Sequence, residues 1–542
     1  MEIFQDGDKL SFKAIQEDWQ KSAFVCSKMK VYAEREINNG IKSWQKLNGK
    51  RSEFADENQA IEKLSEILKE YKNKKILYMR GSGSLAYNMG YWDVFMSQFA
   101  DCYNMYGNPC DATGDDAHEE DFGTVLNPDI NNMKNADCII IFGKNAAVCS
   151  QHLFAHLKEM KKDGKKIIYI DPVKTKTAEI ADKYIPIKPA YDGVLAYALL
   201  SQLGYEKGDA RELLAMTGLS SDNFRYLLDN IVPGKTAIIE GYGLQRQENG
   251  KNAIQWLNRL ASELNCLDML YFGHGSKRFW KSLPKEKFAG SVKAFEVAEE
   301  LLSGDFDLFI CVGSNPAITF PDSNKWKKAL SKVKTVVVDT NEGETSEYAD
   351  FFLKVGGMFS QADVMGSYFF PHKNYRDKFT KEMSDTEAVT MLSEKLGMKV
   401  SVTPNEDIPE KVLEKRKYNS KELEVKLPEK SDKFQLMTSS HHAYLNSQYT
   451  EKIIQGLKVI YINRDDASDM DIKDGDSIKV FNGIGEFEAD AVLTDGIVRK
   501  SVMCWKNIPM KKGYLNCVIP SRTTDFDGGI NYYTTFVDIE KV

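Results

Sequence analysis

Short, nearly continuous apolar runs alternate with longer stretches of helical periodicity through most of the chain. QAIEKLSEILKEYK, from Gln59, spaces its apolar residues three and four apart and predicts an amphipathic helix. ILYMRGSGS (76–84) reads as a buried strand running into a glycine-rich turn, and YWDVFMSQFADCYNMY (91–106) as a helix. ADCIIIFGKN (136–145) is strand and loop, FAHLKEMKKDG a helix stopped by glycine, and KKIIYIDP the next strand. Strands rich in Ile, Val and Tyr, separated by helices, predict a parallel doubly wound sheet.

The arrangement recurs. DLFICVGSNPA (307–317) matches the strand and loop at 136–147, and KTVVVDTNEGETSEYADFFLKV (334–355) matches KIIYIDPVKTKTAEIADKYIPI. Asn315 lies 170 residues after Asn145, while Asp339, Thr345 and Asp350 each lie 168 after Asp171, Thr177 and Asp182. This is an internal duplication of a nucleotide-binding type of half. Such sheets bind ligands at the carboxyl ends of their strands. In each copy one strand ends in a Gly-x-Asn turn and the next in an Asp suited to a ribose hydroxyl. The same residues also suit simple turn caps, and only their pairing in two copies favours a pocket. GSGS (81–84) is either a phosphate cradle or merely a tight turn. Residues 401–433, charged and proline-punctuated, read as a linker, and the short strands that follow as a compact β-barrel.

With 542 residues, 42% hydrophobic and 28% charged, the composition is that of an ordinary globular protein of several domains. A net charge of −7 and the lack of a basic stripe argue against nucleic acid as a partner. No apolar run is long enough to span a membrane, and the N-terminus lacks the features of a signal peptide. A cytoplasmic location is expected. The nine cysteines form no C-x-x-C pair; Cys138 and Cys311 lie in apolar strands and read as inert core residues.

Taken in order, FGKNAAVCSQH, IDPVKTKTAEIADKYIPIKPAYDG, GYGLQRQENG, GSNPAITFPD, DTNEGETSEYADFFL, HHAYLNSQYT and NRDDASDMDIKDGDSIKVFNGIG resemble the molybdopterin oxidoreductase superfamily of formate dehydrogenases, nitrate reductases and dimethyl sulfoxide reductases. The resemblance implies two duplicated doubly wound nucleotide-binding domains plus a C-terminal double-psi β-barrel. The divisions expected are an N-terminal region (1–60), a first α/β domain (61–235), a second (236–400), the linker, and the barrel (434–542). It further implies a bis-molybdopterin guanine dinucleotide cofactor with molybdenum or tungsten. Asn145, Asp171, Thr177 and Asp192 would contact one dinucleotide and Asn315, Asp339 and Thr345 the other. Asn446, Ser447 and Gln448, with His441 and His442 before them, would approach the pterins, and so would Arg246. Lys188 sits where relatives often place an Arg, and it is equally placed to be a surface lysine.

By position, Cys110 in YGNPCDATGDDAHEEDFG (106–123) matches the protein ligand to the metal. Thiolate suits a sulfur-rich site. The crowd of acids behind it either tunes that thiol or only complements a helix N-terminus. His118, eight residues on, is a candidate proton relay or a core helix residue. The chain departs from the family at its start: NNGIKSWQK resembles the element that closes a cluster-binding motif, without the cysteine. Only Cys26 precedes residue 75, whereas a 4Fe–4S cluster needs about four thiolates, so no iron–sulfur cluster is expected. An enzyme of this type acts on a small-molecule substrate by two-electron or oxygen-atom transfer and passes electrons to a partner subunit. The alternative is a non-catalytic scaffold, like the large peripheral subunit of respiratory complex I, which carries the same fold without molybdenum.

Overall fold

The computed structural model describes residues 2–7, 9–15, 24–26, 28–29, 32–33, 36, 40–125, 128–273, 283–284, 286–369, 373–403 and 416–542. An eight-stranded sheet runs in the order Gly290–Lys293, Cys102–Tyr106, Ile76–Arg80, Leu308–Val312, Lys334–Asp339, Phe351–Lys354, Trp44–Leu47, Lys50–Glu53. Its first six strands are parallel; the last two form an antiparallel hairpin on its edge. A second sheet has five parallel strands in the order Leu270–Tyr271, Thr236–Glu240, Cys138–Phe142, Lys166–Ile170, Lys183–Ile185. Every residue of Cys138–Phe142, Leu308–Val312 and Thr236–Glu240 is buried, as strands covered on both faces require.

These sheets do not follow the contiguous division at 235/236. Thr236–Glu240 hydrogen-bonds to Cys138–Phe142, whereas Ile76–Arg80 hydrogen-bonds across to Leu308–Val312. The five-stranded unit is therefore inserted into the eight-stranded one. Nor does residue 60 mark an edge: Trp44, buried and stacked on Phe352 with ring centroids 5.8 Å apart, joins the hairpin to the large sheet. The expected helix 91–106 is also corrected. Only Tyr91–Met96 is helical, and Cys102–Tyr106 is a strand, because it fills the slot between Ile76–Arg80 and Gly290–Lys293.

The duplication is clearer in three dimensions, and it is circularly permuted. In each sheet the motif strand lies beside a strand that ends in glycine. Gly81 N–H bonds to Val312 O at 2.8 Å, and Gly241 N–H bonds to Phe142 O at 2.7 Å. In the large sheet the glycine strand precedes its motif strand in the sequence; in the small sheet it follows. Both glycines are obligatory for the same reason. A Cβ on Gly81 would lie 2.2 Å from Gly313 O, and one on Gly241 would lie 2.0 Å from Gly143 O. Gly81→Ala and Gly241→Ala are each expected to cost about 1–3 kcal/mol, read as a lowered denaturant midpoint at constant slope.

Six strands close the C-terminal double-psi barrel in the order Phe434–Ser439, Ser501–Trp505, Val459–Asn463, Glu486–Thr494, Ser477–Phe481, Phe536–Lys541. Parallel pairs join the first two strands and the third and fourth, and the remaining pairings are antiparallel. Within the expected linker, residues 404–415 lie outside the described residues; 416–433 have no helix or strand but are pinned along their length. Asn419 N–H bonds to Asp121 O at 2.7 Å, and Asn252 holds both Glu424 O at 2.8 Å and Lys426 N–H at 3.0 Å. Tyr418, Leu423 and Val425 pack on the core of the five-stranded unit. No helix among the described residues is long and apolar enough to cross a membrane.

Candidate functional site

Loops from all three units meet around a cavity of about 450 Å³. The turn Gly81–Leu85 forms one wall, with Gly313–Asn315 and 337–343 beside it. The barrel contributes Thr438, Leu445–Gln448, Lys506, Asn507 and Tyr532, and the five-stranded unit contributes Arg246. Residues 107–110 complete the lining and bring in Cys110.

Backbone chemistry fixes the Cys110 loop. Gly107 has φ +81°, and a Cβ there would lie 1.9 Å from Gly528 O, so only glycine lets the loop reach the barrel. Asn108 N–H bonds to Gly528 O at 3.0 Å. The Asn108 side-chain oxygen then accepts from the N–H groups of Cys110 (2.8 Å), Asp111 (2.9 Å) and Ala112 (3.3 Å), fixing the turn that leads into the helix Ala112–Phe122. Cys110 itself is half-buried.

Much of the acidic run has work away from the thiol. Lys251 Nζ lies 2.5 Å from Asp116 and 2.6 Å from Glu120, and Lys421 Nζ lies 2.7 Å from Glu120 and 3.3 Å from Asp121. The two lysines hold the Glu120 carboxyl down to about 2. Asp121 is buried and accepts from Asn258 at 2.8 Å. These acids bind the helix to Gly250–Glu263 and to the pinned 416–433 segment. The groups that act electrostatically on Cys110 include the cations Arg246 and Lys506. Burial, reinforced by Arg246 and opposed by Cys110, lowers the Lys506 ammonium to about 8.

His118 does not line the cavity. It lies on the core face of its helix, fully buried between Phe272 and Phe122, with Nε2 2.9 Å from Glu240 Oε2. Burial raises the Glu240 carboxyl, opposed by the nearby Arg416. This placement removes the geometric basis for His118 as a proton relay at the cavity.

The duplicated motifs correspond down to single hydrogen bonds. Thr177 Oγ1 donates to Asn145 Oδ1 at 3.0 Å and accepts from Ala147 N–H at 3.1 Å. Thr345 Oγ1 donates to Asn315 Oδ1 at 2.8 Å and accepts from Ala317 N–H at 3.1 Å. The Asp182 carboxylate takes Ile167 N–H at 2.8 Å, and that of Asp350 takes Thr335 N–H at 2.9 Å. Each half also buries two carboxyls within electrostatic reach of each other. Asp171 is raised to about 6 by burial, and Asp192 to about 7 by burial and then by the charge of Asp171. Asp339 and Asp385 are both raised to about 6, chiefly by burial, and Asp385 adds to the rise at Asp339.

The structure brings Cys110, Arg246, Asn315, Asp339, Thr345, Asn446, Ser447 and Gln448 to one cavity. Asn145, Asp171, Thr177 and Asp192 lie outside it, in the five-stranded unit, and Lys188 is outside it too. His441 packs against His442, Tyr444 and Trp505 rather than lining it. Two lining residues escape notice in the sequence. Asp385 hides in SDTE, which reads as an ordinary capping box, and that box is present. Lys506 ends the apolar strand SVMCW and reads as a solvent-facing stop.

Two family models match the chain: molybdopterin oxidoreductase over residues 58–353 and molydopterin dinucleotide binding domain over 434–536. The chain is 27% identical over 317 residues to probable oxidoreductase YyaE of Bacillus subtilis, covering 51% of this chain and 47% of that protein, so that match spans about half its length. It is 24% identical to probable oxidoreductase YoaE of the same organism, covering 80% and 79% of the two chains. Trimethylamine-N-oxide reductase of Vibrio parahaemolyticus is 22% identical, covering 69% and 67%. Among solved structures, acetylene hydratase from Pelobacter acetylenicus superposes with a TM-score of 0.75 over 100% of this chain and 98% of its own, at 14% identity, a likeness of fold alone.

Proposed function

Because the chain belongs to the molybdopterin oxidoreductase family, we propose that it uses a pair of molybdopterin guanine dinucleotides with molybdenum or tungsten to carry out two-electron or oxygen-atom transfer on a small molecule. The observation that carries this reading is the shared cavity: a thiol, one copy of the duplicated Asn/Thr/Asp motif and barrel loops from separate parts of the chain converge on it. The lining fits a polar, anionic cofactor. Arg246 Nε and Gln448 Oε1 are buried without hydrogen-bond partners among the described residues, as donors and acceptors meant for a ligand would be. When bound, the metal and its dithiolenes take up or release the electron pair.

The chain's own residues hold and orient. The Asn145/Thr177 and Asn315/Thr345 pairs shape the turns that would receive the two nucleotides. The buried carboxyls of Asp171, Asp192, Asp339 and Asp385 supply acceptors for guanine and ribose donors. Asn446, Ser447 and Gln448 close over the pterins from the barrel, and Cys110 offers its sulfur to the metal. With Cys26 as the one cysteine before residue 75, the chain is read as holding no iron–sulfur cluster of its own, and electrons would leave through the pterin to a partner subunit or serve a second half-reaction at the metal. The relatives named above carry the names of two probable oxidoreductases and a reductase, and none favours the scaffold alternative.

Protein made in a host that synthesises the cofactor is expected to release about two GMP per chain on acid hydrolysis, with about one molybdenum or tungsten. Elemental analysis and chromatography measure both, and absence of GMP from such protein overturns the reading.

A further inference from the structure

We propose that Glu344 is a positioning residue that latches the barrel loop 445–448 to the Asn315 turn, so that the two dinucleotide sites are unequal and cofactor enters on the Asn315 side. The word dinucleotide rests on the proposed function; the latch itself rests on geometry. Glu344 lies on the turn that follows the strand Lys334–Asp339 of the large sheet. One of its carboxylate oxygens accepts the Asn315 side-chain N–H at 2.6 Å, and the other accepts the phenol of Tyr449, from the barrel. The Asn315 side-chain oxygen in turn takes both the backbone N–H and the hydroxyl of Thr345, at 2.9 and 2.8 Å. One carboxylate thereby wires a barrel tyrosine to the motif.

The loop hangs between two tyrosines. On its near side Tyr444 is buried, and its hydroxyl donates to Lys506 O at 2.9 Å, within the barrel itself. On its far side Tyr449 packs edge-on against Tyr444, with ring centroids 6.2 Å apart, and its hydroxyl reaches Glu344. Burial, and then the Glu344 charge, raises the Tyr449 phenol, so it stays a donor. Between them Gln448 N–H closes a tight turn on Leu445 O at 2.8 Å, and Asn446, Ser447 and Gln448 line the cavity. Among the described residues, Tyr449 to Glu344 is the one hydrogen bond that ties 445–450 to the large-sheet unit.

The first copy is built otherwise. At the offset of 168 residues Glu344 corresponds to Lys176 and Glu342 to Lys174, so cations stand where the second copy has acids. Lys176 is exposed, and its ammonium has no acceptor to offer the Asn145 amide. The barrel meets this turn by main chain instead: Lys174 N–H bonds to Gly496 O at 2.7 Å, and Val498 N–H bonds to Pro172 O at 3.1 Å. Val173, between them, packs on Met437, Ile497 and Met503. Such a seam does not depend on a side-chain rotamer, whereas a single side-chain latch opens locally, as ligand-binding loops must. The large-sheet unit and the barrel stay joined when it opens, since Asp322 N–H bonds to Ile519 O at 2.9 Å and the Tyr532 hydroxyl to Thr319 O at 2.8 Å. The Asn315 side therefore gives a bulky dinucleotide a way in, and the seam at 172–174 keeps the Asn145 side shut.

The test follows amide hydrogen exchange, resolved to single residues by fragmentation mass spectrometry, in the full chain made in a host that cannot synthesise molybdopterin. Tyr449→Phe and Glu344→Ala are each expected to speed exchange at Gln448 N–H about tenfold, the worth of a hydrogen bond to a charged group. Glu344→Ala is expected to speed Ala317 N–H as well, because its acceptor Thr345 is held by Asn315, which loses its anchor. Ala147 N–H, held by Thr177 at the same 3.1 Å, is the internal control and should not change. Glu344→Gln keeps one oxygen for Asn315 and one N–H for Tyr449 and should stay near wild type. Tyr449→Phe decides alone if Glu344→Ala does not fold. In protein from a cofactor-competent host, Tyr449→Phe is expected to lose its acid-releasable GMP on dialysis about tenfold faster than wild type or Lys176→Ala. Unchanged exchange at Gln448 overturns the latch, and equal acceleration at Ala147 shows a general loosening and overturns the inequality of the sites. A loosened loop with unchanged GMP loss overturns entry on the Asn315 side. Lack of GMP in the wild type would instead count against the proposed function, and the exchange results would still decide the latch.

Discussion

Cys110→Ala is expected to lower turnover by more than about a hundredfold while the protein stays folded and keeps its guanine nucleotide. The loop does not depend on the thiol for its shape. Gly107 meets Gly528 backbone to backbone, and the Asn108 side chain gathers three successive N–H groups. Removing a half-buried sulfur from that frame should cost no more than about 1 kcal/mol. The residues assigned to the nucleotides lie on other loops. A reduced-viologen assay against a panel of small oxidants reads the first effect, and GMP release the second. X-ray absorption at the metal should lose one sulfur scatterer in the variant. Full turnover with an unchanged metal spectrum would show that Cys110 only begins a helix. Cys110→Ser, which keeps a ligand atom, should fall between wild type and Ala. The double result, activity lost and nucleotide kept, separates a ligand from a structural residue, because a structural residue would lose both or neither.

The acidic stretch shows how far residues alone could be read. Its position marked Cys110, but what its acids do depends on Lys251 and Lys421, far off in sequence and brought close only by the packed helices. His118 failed for a similar reason. Sequence shows a histidine eight residues from a thiol; only the helix turn shows that it points into the core at Glu240. The duplication was legible because Asn, Thr and Asp recur at a fixed offset. Its permuted wiring was not, since a parallel strand's neighbour is set by tertiary pairing and leaves no mark in local periodicity. That same pairing overrode the division at 235/236 and turned 102–106 from helix to strand. Arg246 was legible from its motif, whereas Lys506 carries no motif and is recognised only by the cavity it enters.

Asp192→Asn and Asp385→Asn are expected to act in opposite directions on the empty protein and on cofactor retention. Asp192 begins the helix Asp192–Gln202 and Asp385 begins Asp385–Leu396, where the helix dipole favours a negative charge. Burial outweighs that help, and the carboxyls rise to about 7 and about 6 from an ordinary 3.8. A carboxyl raised on folding stabilises the fold fully below its unfolded value, and that contribution is lost as pH rises through its folded value. The cofactor-free chain should therefore lose stability between about pH 4 and about pH 7 on account of these two groups. The loss should reach a few kcal/mol, since each tenfold difference in proton affinity between the folded and unfolded chain is worth about 1.4 kcal/mol. Each Asn variant should flatten that slope and melt higher than wild type at pH 8. If the carboxylates receive guanine donors, the same variants should hold the dinucleotide roughly 10- to 100-fold less tightly, the worth of a charge-assisted bond. Thermal melts at pH 5.5 and pH 8, with GMP content of the purified variants, read both effects. A variant that gains stability yet keeps all its GMP would make that aspartate a buried cap with no part in binding; one that loses stability at pH 8 would show that the carboxyl is compensated inside the fold.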